Sequence, residues 1–434
     1  MTALHPTLET RPPSEASDLL LRRQAVLGRH TPMFYRDPLQ IVAARGVQVT
    51  GSDGRTYLDA YNNVPHVGHC HPAIIEAVSQ QMSTVNVHSR YLTDTPIEYA
   101  ERLLSLFPAP LDMMFFTNSG SEANDLALRL TRFHTRSTGV LVSDHSYHGN
   151  TQALVSITTG LPTSEPLGAH VRTFTAPDVL DPSFSVEDAL LQIDHAIADL
   201  QRTGHGVAAA LFDPLFSTEG LPRLPLGYLD GLCARVRQAG GLVISDEVQS
   251  GLGRTAGHMW GFEATGFVPD LVVLGKPMGN GFPLGAVISP ADLIESFSEA
   301  NLYFNTFATS PAAGAAGLAV LHVMETEELM LRAQQASATF VAGMQDLVDG
   351  DDRLVGVRGT GMFLGMKFVD PHSGESDGST ARAVVEAMRA NGVLIGRVGR
   401  LDEVLKIRPP LAFDTDHADF AINAFAKSLD QVRR

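Results

Sequence analysis

Cysteine is nearly absent: 434 residues carry only Cys70 and Cys233, far apart in the chain. Two such residues draw no disulfide framework, so an apolar core must hold the fold, and a reduced, cytoplasmic setting is expected. Basic charge is scarce as well. Lys plus Arg number 32 against 48 Asp plus Glu, a net charge of −16. That balance disfavours broad contact with nucleic acid or anionic membrane, while leaving room for a local basic pocket. No apolar run approaches the roughly 18–20 residues of a membrane helix. The opening "MTALHPTLET" also lacks the basic-then-apolar order of a signal peptide. The expectation is a soluble protein that binds neither nucleic acid nor membrane.

What is present is an ordinary globular composition, 44% hydrophobic and 18% charged, at a length that suggests two or three domains. The start of the chain is polar, carries Pro12 and Pro13, and reads as an arm. "IVAARGVQVTGSDGRTYLDA" alternates β-like runs with Gly and Asp turns and predicts a small sheet. Beyond Thr93, short apolar strands ("MMFFT", "GVLVS", "VAAALF", "GLVIS", "LVVLG", "GAVIS") alternate with amphipathic helices, the rhythm of an α/β domain with a mostly parallel sheet. In "LDGLCARVRQAGG", for example, Leu229, Leu232, Cys233 and Val236 share one helical face, and Gly240 supplies the stop. After Pro311 come a small-residue helix, β-like segments such as "GMFLGMKFV", and a terminal helix. The predicted division is an N-terminal segment, 1–60, shared with a smaller domain, a large α/β domain, 61–310, and a C-terminal α+β domain, 311–434. "HSGESDGST" reads as a flexible polar loop.

In open α/β sheets ligands gather beyond the carboxyl ends of the strands, and four groups fall there. In "MMFFTNSGSEANDLALRL" a strand ends at Thr117 and a helix opens near Ser121. Ser119 and Glu122 have capping-box spacing, and Gly120 lets a ligand approach free helix N–H groups, which suits a phosphate. A plain capped helix would look the same. In "GLVISDEVQSGLGR", Asp246 ends a buried strand, costly unless it caps the next turn or meets a cation. In "VVLGKPMGNG", Lys276 ends another. It belongs to no Walker loop, because Asp270 stands where a glycine is needed and Pro277 where Ser or Thr is needed. A desolvated amine in such a place has a depressed pKa and can act as nucleophile, Schiff-base partner and base. Tyr147, in "SDHSYHGNT", could offer a flat face to a ring or fill the core.

A phosphate, a basic ring nitrogen and an aldehyde would use all four, and pyridoxal phosphate (PLP) has all three. At this point the sequence resembles the class III, ω-type, aminotransferases of PLP fold type I over nearly its whole length. The pieces that carry the resemblance are "YLDAYNNVPHVGHCHP", "FFTNSGSEANDLALRL", "YHGNT", "SDEVQSGLGRTAGHMWGFE", "PDLVVLGKPMGNGFPLGAV", "FNTFATSP" and "LKIRPPL". "NNVPHVGHCHP" and "GKPMGNG" are most similar to the alanine–glyoxylate aminotransferase 2-like branch, which also contains ethanolamine-phosphate phospho-lyases.

The resemblance implies a seven-stranded sheet between helices, with a smaller α+β domain. It implies Lys276 as Schiff-base residue and proton shuttle, and Asp246 on the ring nitrogen. Tyr147 and Val248 would flank the ring, with His148 beside Tyr147, and Gln249 would lie near the phenolic oxygen. Gly120 and Ser121 would hold the phosphate. Thr306 would reach a neighbouring subunit's phosphate, making the working form a homodimer with shared sites, its pairing into tetramers left open. Arg408 would bind a substrate carboxylate or phosphate, and Asn62 and Asn63 would line the substrate pocket. Two departures touch the substrate side: Asp213, where many relatives carry Glu, and "FATSP" after the position of Thr306. "HVGHCHP" packs His66, His69, Cys70 and His71 too tightly for the spaced ligands that zinc takes, and no metal is expected. The implied activity is transfer of an amino group from an amine or amino acid to an α-keto acid such as pyruvate. The alternative is a lyase acting on a phosphorylated or phosphonylated amino alcohol.

Overall fold

The computed structural model describes residues 18–433 except 182; Pro12 and Pro13 lie outside the described residues. The chain divides into two compact units, Met1–Gln40 and Ile41–Arg434. Within the first, Asp18–Leu27 is a helix with no buried side chain, where the sequence suggested only an arm.

The second unit is built on a seven-stranded sheet. In spatial order its strands are Met113–Thr117, Gly285–Ser289, Leu271–Leu274, Leu242–Asp246, Ala209–Phe212, Val140–Ser143 and Val171–Phe174. Gly285–Ser289 runs antiparallel to both neighbours, and the remaining pairs are parallel. Every residue of Leu271–Leu274, Ala209–Phe212 and Val140–Ser143 is buried, which is why these segments read as unbroken apolar runs rather than alternating ones. Val171–Phe174 gave no such signal. It is the last strand in the order, and its two central residues, Arg172 and Thr173, are polar and not buried.

Gly120–Thr135 lays Ala123, Leu126, Ala127 and Leu130 into the same core as Val140, Val142, Ile244 and Val273. The helix Tyr228–Gln238 buries Leu229, Leu232, Cys233 and Val236, the face its 3.6-residue period predicts, and Gly240 turns the chain at φ 83°.

Two smaller sheets accompany it. One joins Ile41–Arg45, Gln48–Gly51 and Thr56–Asp59 to Val393–Leu394, with Leu58 beside Val393 in parallel. The other comprises Leu354–Thr360, Phe363–Phe368, Val404–Ile407 and Gly396–Val398. They bring distant sequence together: Arg408 N donates to Ala60 O at 2.9 Å. "HSGESDGST" is more ordered than expected. Asp370 accepts from His372 N and Ser373 N, and Asp377 caps the helix Gly378–Ala390. Among the described residues no helix is long and apolar enough to cross a membrane.

Candidate active site

A cavity of about 400 Å³ opens beyond the carboxyl ends of Leu242–Asp246 and Leu271–Leu274, a volume typical of small-molecule sites. At one end the helix Gly120–Thr135 begins. Ser119 Oγ accepts from Glu122 N at 3.2 Å, but the Glu122 carboxylate takes Asn118 N at 2.9 Å rather than Ser119 N. The reciprocal half of the capping box is therefore shifted by one residue. Gly120 and Ser121 lead this helix into the cavity, where its positive end favours an anion. Glycine is needed here: a Cβ at Gly120 would lie 2.7 Å from Val248 Cγ2. Gly149, at φ 139°, leaves the space beside Ser121 open, since a Cβ there would stand 2.6 Å from Ser121 Oγ.

Asp246 is 5% exposed. Its Oδ2 accepts from His148 Nδ1 at 2.7 Å and Asn124 Nδ2 at 2.9 Å, and its Oδ1 accepts from Val248 N at 3.1 Å. Three donors from separate elements fix the position of this buried carboxylate. His148 Nε2 and Asn124 Oδ1 are buried without partners among the described residues.

Lys276 opens a short 3₁₀ turn, Lys276–Gly279, directly after its strand and Gly275. It makes no hydrogen bond or ion pair among the described residues. Its side chain is solvent-accessible and lines the cavity, with protein atoms packed around it. Burial, with Arg408 adding to it, pulls its pKa down from 10.5 to about 8, against the opposing pull of Asp246 and Asp213. Tyr147 and Val248 both line the cavity. Burial and then the Asp246 charge raise the Tyr147 hydroxyl pKa, keeping it neutral.

Gln249 ties the cavity to its surroundings. Its Nε2 donates to Ser217 Oγ at 2.8 Å and its Oε1 accepts from Arg408 Nη1. Arg408 also donates from Nε to Tyr61 O at 3.0 Å and stacks 4.6 Å from the Tyr61 ring. It is held just outside the cavity lining. Asn62 and Asn63 stand outside it too: Asn62 is bound to Asp59, Asn63 is buried with Nδ2 unpartnered, and Val64 is the residue of that stretch on the cavity wall. Thr306 is exposed and does not line the cavity of its own chain. Its neighbour Asn305 bonds Asn118 and Glu122 beside the start of the helix Gly120–Thr135.

The histidine cluster disperses among unrelated partners. His66 meets Leu252 O and Arg254, His69 meets Asp59, and His71 meets Glu327. Among the described residues no three His, Cys, Asp or Glu side chains converge as metal ligands. Lining residues that motif reading missed include Asn118, Asn124 and Phe282. Asn124 left one signal, an amide on the buried stripe of the helix after the phosphate turn.

These groups fit pyridoxal phosphate by their chemistry: a helix N-terminus for the phosphate, a buried three-donor carboxylate for the ring nitrogen, and a desolvated, unpaired amine for the aldehyde. The comparisons agree. Residues 32–429 match the model of the family described as "Aminotransferase class-III". The chain is 36% identical over 435 residues to the alanine–glyoxylate aminotransferase 2-like protein of Drosophila melanogaster, covering 96% of this chain and 88% of that one. It is 34% identical over 440 residues to ethanolamine-phosphate phospho-lyase homolog 1 of Caenorhabditis elegans, covering 96% and 93%. Among solved structures it is 52% identical to a phospholyase from Arthrobacter in complex with phosphoethanolamine, with TM-score 0.94, covering 95% of this chain and 99% of that one. The chain thus belongs to the class III aminotransferases, a pyridoxal-phosphate-dependent family of enzymes with the α/β architecture of fold type I.

Proposed function

We propose that this enzyme removes phosphate and ammonia from a small phosphorylated amino alcohol. The observation that carries the reading is the 52% identity, over 95% of the chain, to a phospholyase bound to phosphoethanolamine. The fixed, buried Arg408 guanidinium, held by Tyr61 and Gln249, suits the phosphate of such a substrate. Transamination to an α-keto acid such as pyruvate is the second reading, favoured by the similarity to an alanine–glyoxylate aminotransferase 2-like protein.

In either reading Gly120 and Ser121 would hold the cofactor phosphate, Tyr147 and Val248 would flank the ring, and Gln249 would serve its phenolic oxygen. Asp246 would keep a proton on the ring nitrogen, and His148 and Asn124 fix that carboxylate in place. When bound, pyridoxal phosphate supplies an aldehyde that condenses with amines and a ring that draws electron density from the carbon next to nitrogen. Lys276 Nζ, an unpaired amine at the cavity wall, would take the proton from that carbon. In the lyase outcome the neighbouring C–O bond then breaks, and phosphate leaves with its electron pair as a carbon–carbon double bond forms. Water releases ammonia and an aldehyde, with no net oxidation and no keto acid consumed. Asn62 and Asn63 sit behind the substrate side, adjoining Val64. Thr306 serves the cofactor phosphate of a second copy, so the working form is at least a dimer; a cytoplasmic setting belongs to the same proposal.

The test is to incubate holoenzyme with O-phosphoethanolamine and no keto acid. Phosphate and ammonia should appear one for one. Amine consumption that requires pyruvate and yields alanine without phosphate would overturn the lyase reading in favour of transamination.

A further inference from the structure

The strand Val404–Ile407 is buried throughout, and among its apolar residues sits one lysine, Lys406, only 6% exposed. Arg408 follows two residues later, and residues two apart in extended chain share a face. Both cations lie against one aromatic ring: Lys406 Nζ is 5.4 Å and the Arg408 guanidinium carbon 5.9 Å from the centre of Phe363.

Their partners differ. Arg408 is anchored by Tyr61 O and Gln249 Oε1. Lys406 makes no hydrogen bond or ion pair among the described residues. The two nearby carboxylates are engaged elsewhere: Asp213 accepts from Leu215 N and Ser217 N, and Glu219 accepts from Ser143 Oγ. A buried ammonium with carboxylates near it but none in direct contact is incompletely compensated, and an incoming anion would complete it. Burial first, and then Arg408 and Lys276, depress the Lys406 pKa well below that of an ordinary lysine, against the opposing pull of Asp213 and Glu219; Asp213 and Lys276 both line the cavity. An anion entering beside Gln249 and Arg408 would supply what Lys406 lacks.

We infer that Lys406 is the second cation of the substrate-anion site, acting with Arg408 to select a dianionic phosphomonoester over a monoanionic substrate. This rests on the lyase reading above. One guanidinium balances a carboxylate or a sulfate ester. A phosphomonoester carries up to two charges and three free oxygens, and an ammonium beside the guanidinium matches the second charge.

The experiment measures holoenzyme and its Lys406→Met and Lys406→Arg variants on O-phosphoethanolamine and on the monoanionic analogue O-sulfoethanolamine. Lys406→Met should raise KM for the phosphate ester on the order of 100-fold with a much smaller change in kcat, and KM for the sulfate ester by less than about tenfold. Lys406→Arg should recover most of the loss. If Lys406→Met does not retain cofactor, Lys406→Gln reads the same comparison. A wild-type enzyme that releases no phosphate overturns the lyase reading and this assignment with it. A wild-type enzyme that releases phosphate, beside a variant whose KM is unchanged or rises equally for both esters, overturns this assignment alone.

Discussion

Asp246 and Lys276 leave the same edge of the central sheet, because Asp246 pairs with Val273 across two adjacent parallel strands and Lys276 follows three residues further on. A carboxylate and an amine are thereby set at one cavity without touching each other. That separation leaves the amine unpaired, and burial lowers its pKa to about 8.

Covalent attachment of pyridoxal phosphate requires the neutral amine. Attachment to cofactor-free protein, trapped by borohydride, should therefore rise with pH about a midpoint near 8, not near 10.5. Lys276→Ala should keep the fold by circular dichroism and lose both attachment and turnover. A midpoint near the ordinary lysine value would contradict the depressed pKa.

Asp246→Asn removes the charge proposed to hold a proton on the ring nitrogen while preserving size. The expected loss in kcat/KM is on the order of 100- to 1000-fold, with the protein still folded. A loss below tenfold would show that Asp246 is structural.

Gly120→Ala places a methyl group against Val248, 2.7 Å from Cγ2 and 3.1 Å from Cγ1. The expected cost is about 1–3 kcal/mol of stability, read by urea denaturation, together with weaker cofactor retention. Adding Val248→Ala should relieve the clash; a double variant no better than the single one would mean that the backbone has moved instead.

Arg254 is fully buried and donates to Met362 O, Pro409 O and His66 Nδ1. It thereby fastens the turn that follows Arg408. Arg254→Met should cost about 1–3 kcal/mol for each carbonyl left without a donor, and it should raise KM for substrate through a looser Arg408. Unchanged denaturation midpoint and KM would contradict that role.

What was legible in the sequence was local. A strand, a glycine turn and a capped helix are written in consecutive residues, so Gly120, Ser121, Asp246 and Lys276 could be placed at strand ends before any coordinates. What was not legible depends on chain closure. Arg408 meets Tyr61 and Gln249 from 347 and 159 positions away, and Arg254 meets His66 across 188. Lys406 lies in "LKIRPPL" but that motif gives it no role; its interest comes from burial without a partner, a property of the packed state. Val171–Phe174 escaped notice because its polar middle residues break the apolar run that marks the other strands. The motifs alone imply transamination ahead of elimination, and no local feature of Lys276 or Asp246 distinguishes two reactions that begin with the same proton removal.

The most direct measurement of that choice is the ratio of inorganic phosphate to alanine when holoenzyme turns over O-phosphoethanolamine with pyruvate present. Elimination predicts phosphate equal to the substrate consumed and no alanine, at a rate that pyruvate does not change. Alanine equal to substrate consumed, with no phosphate released, would contradict it.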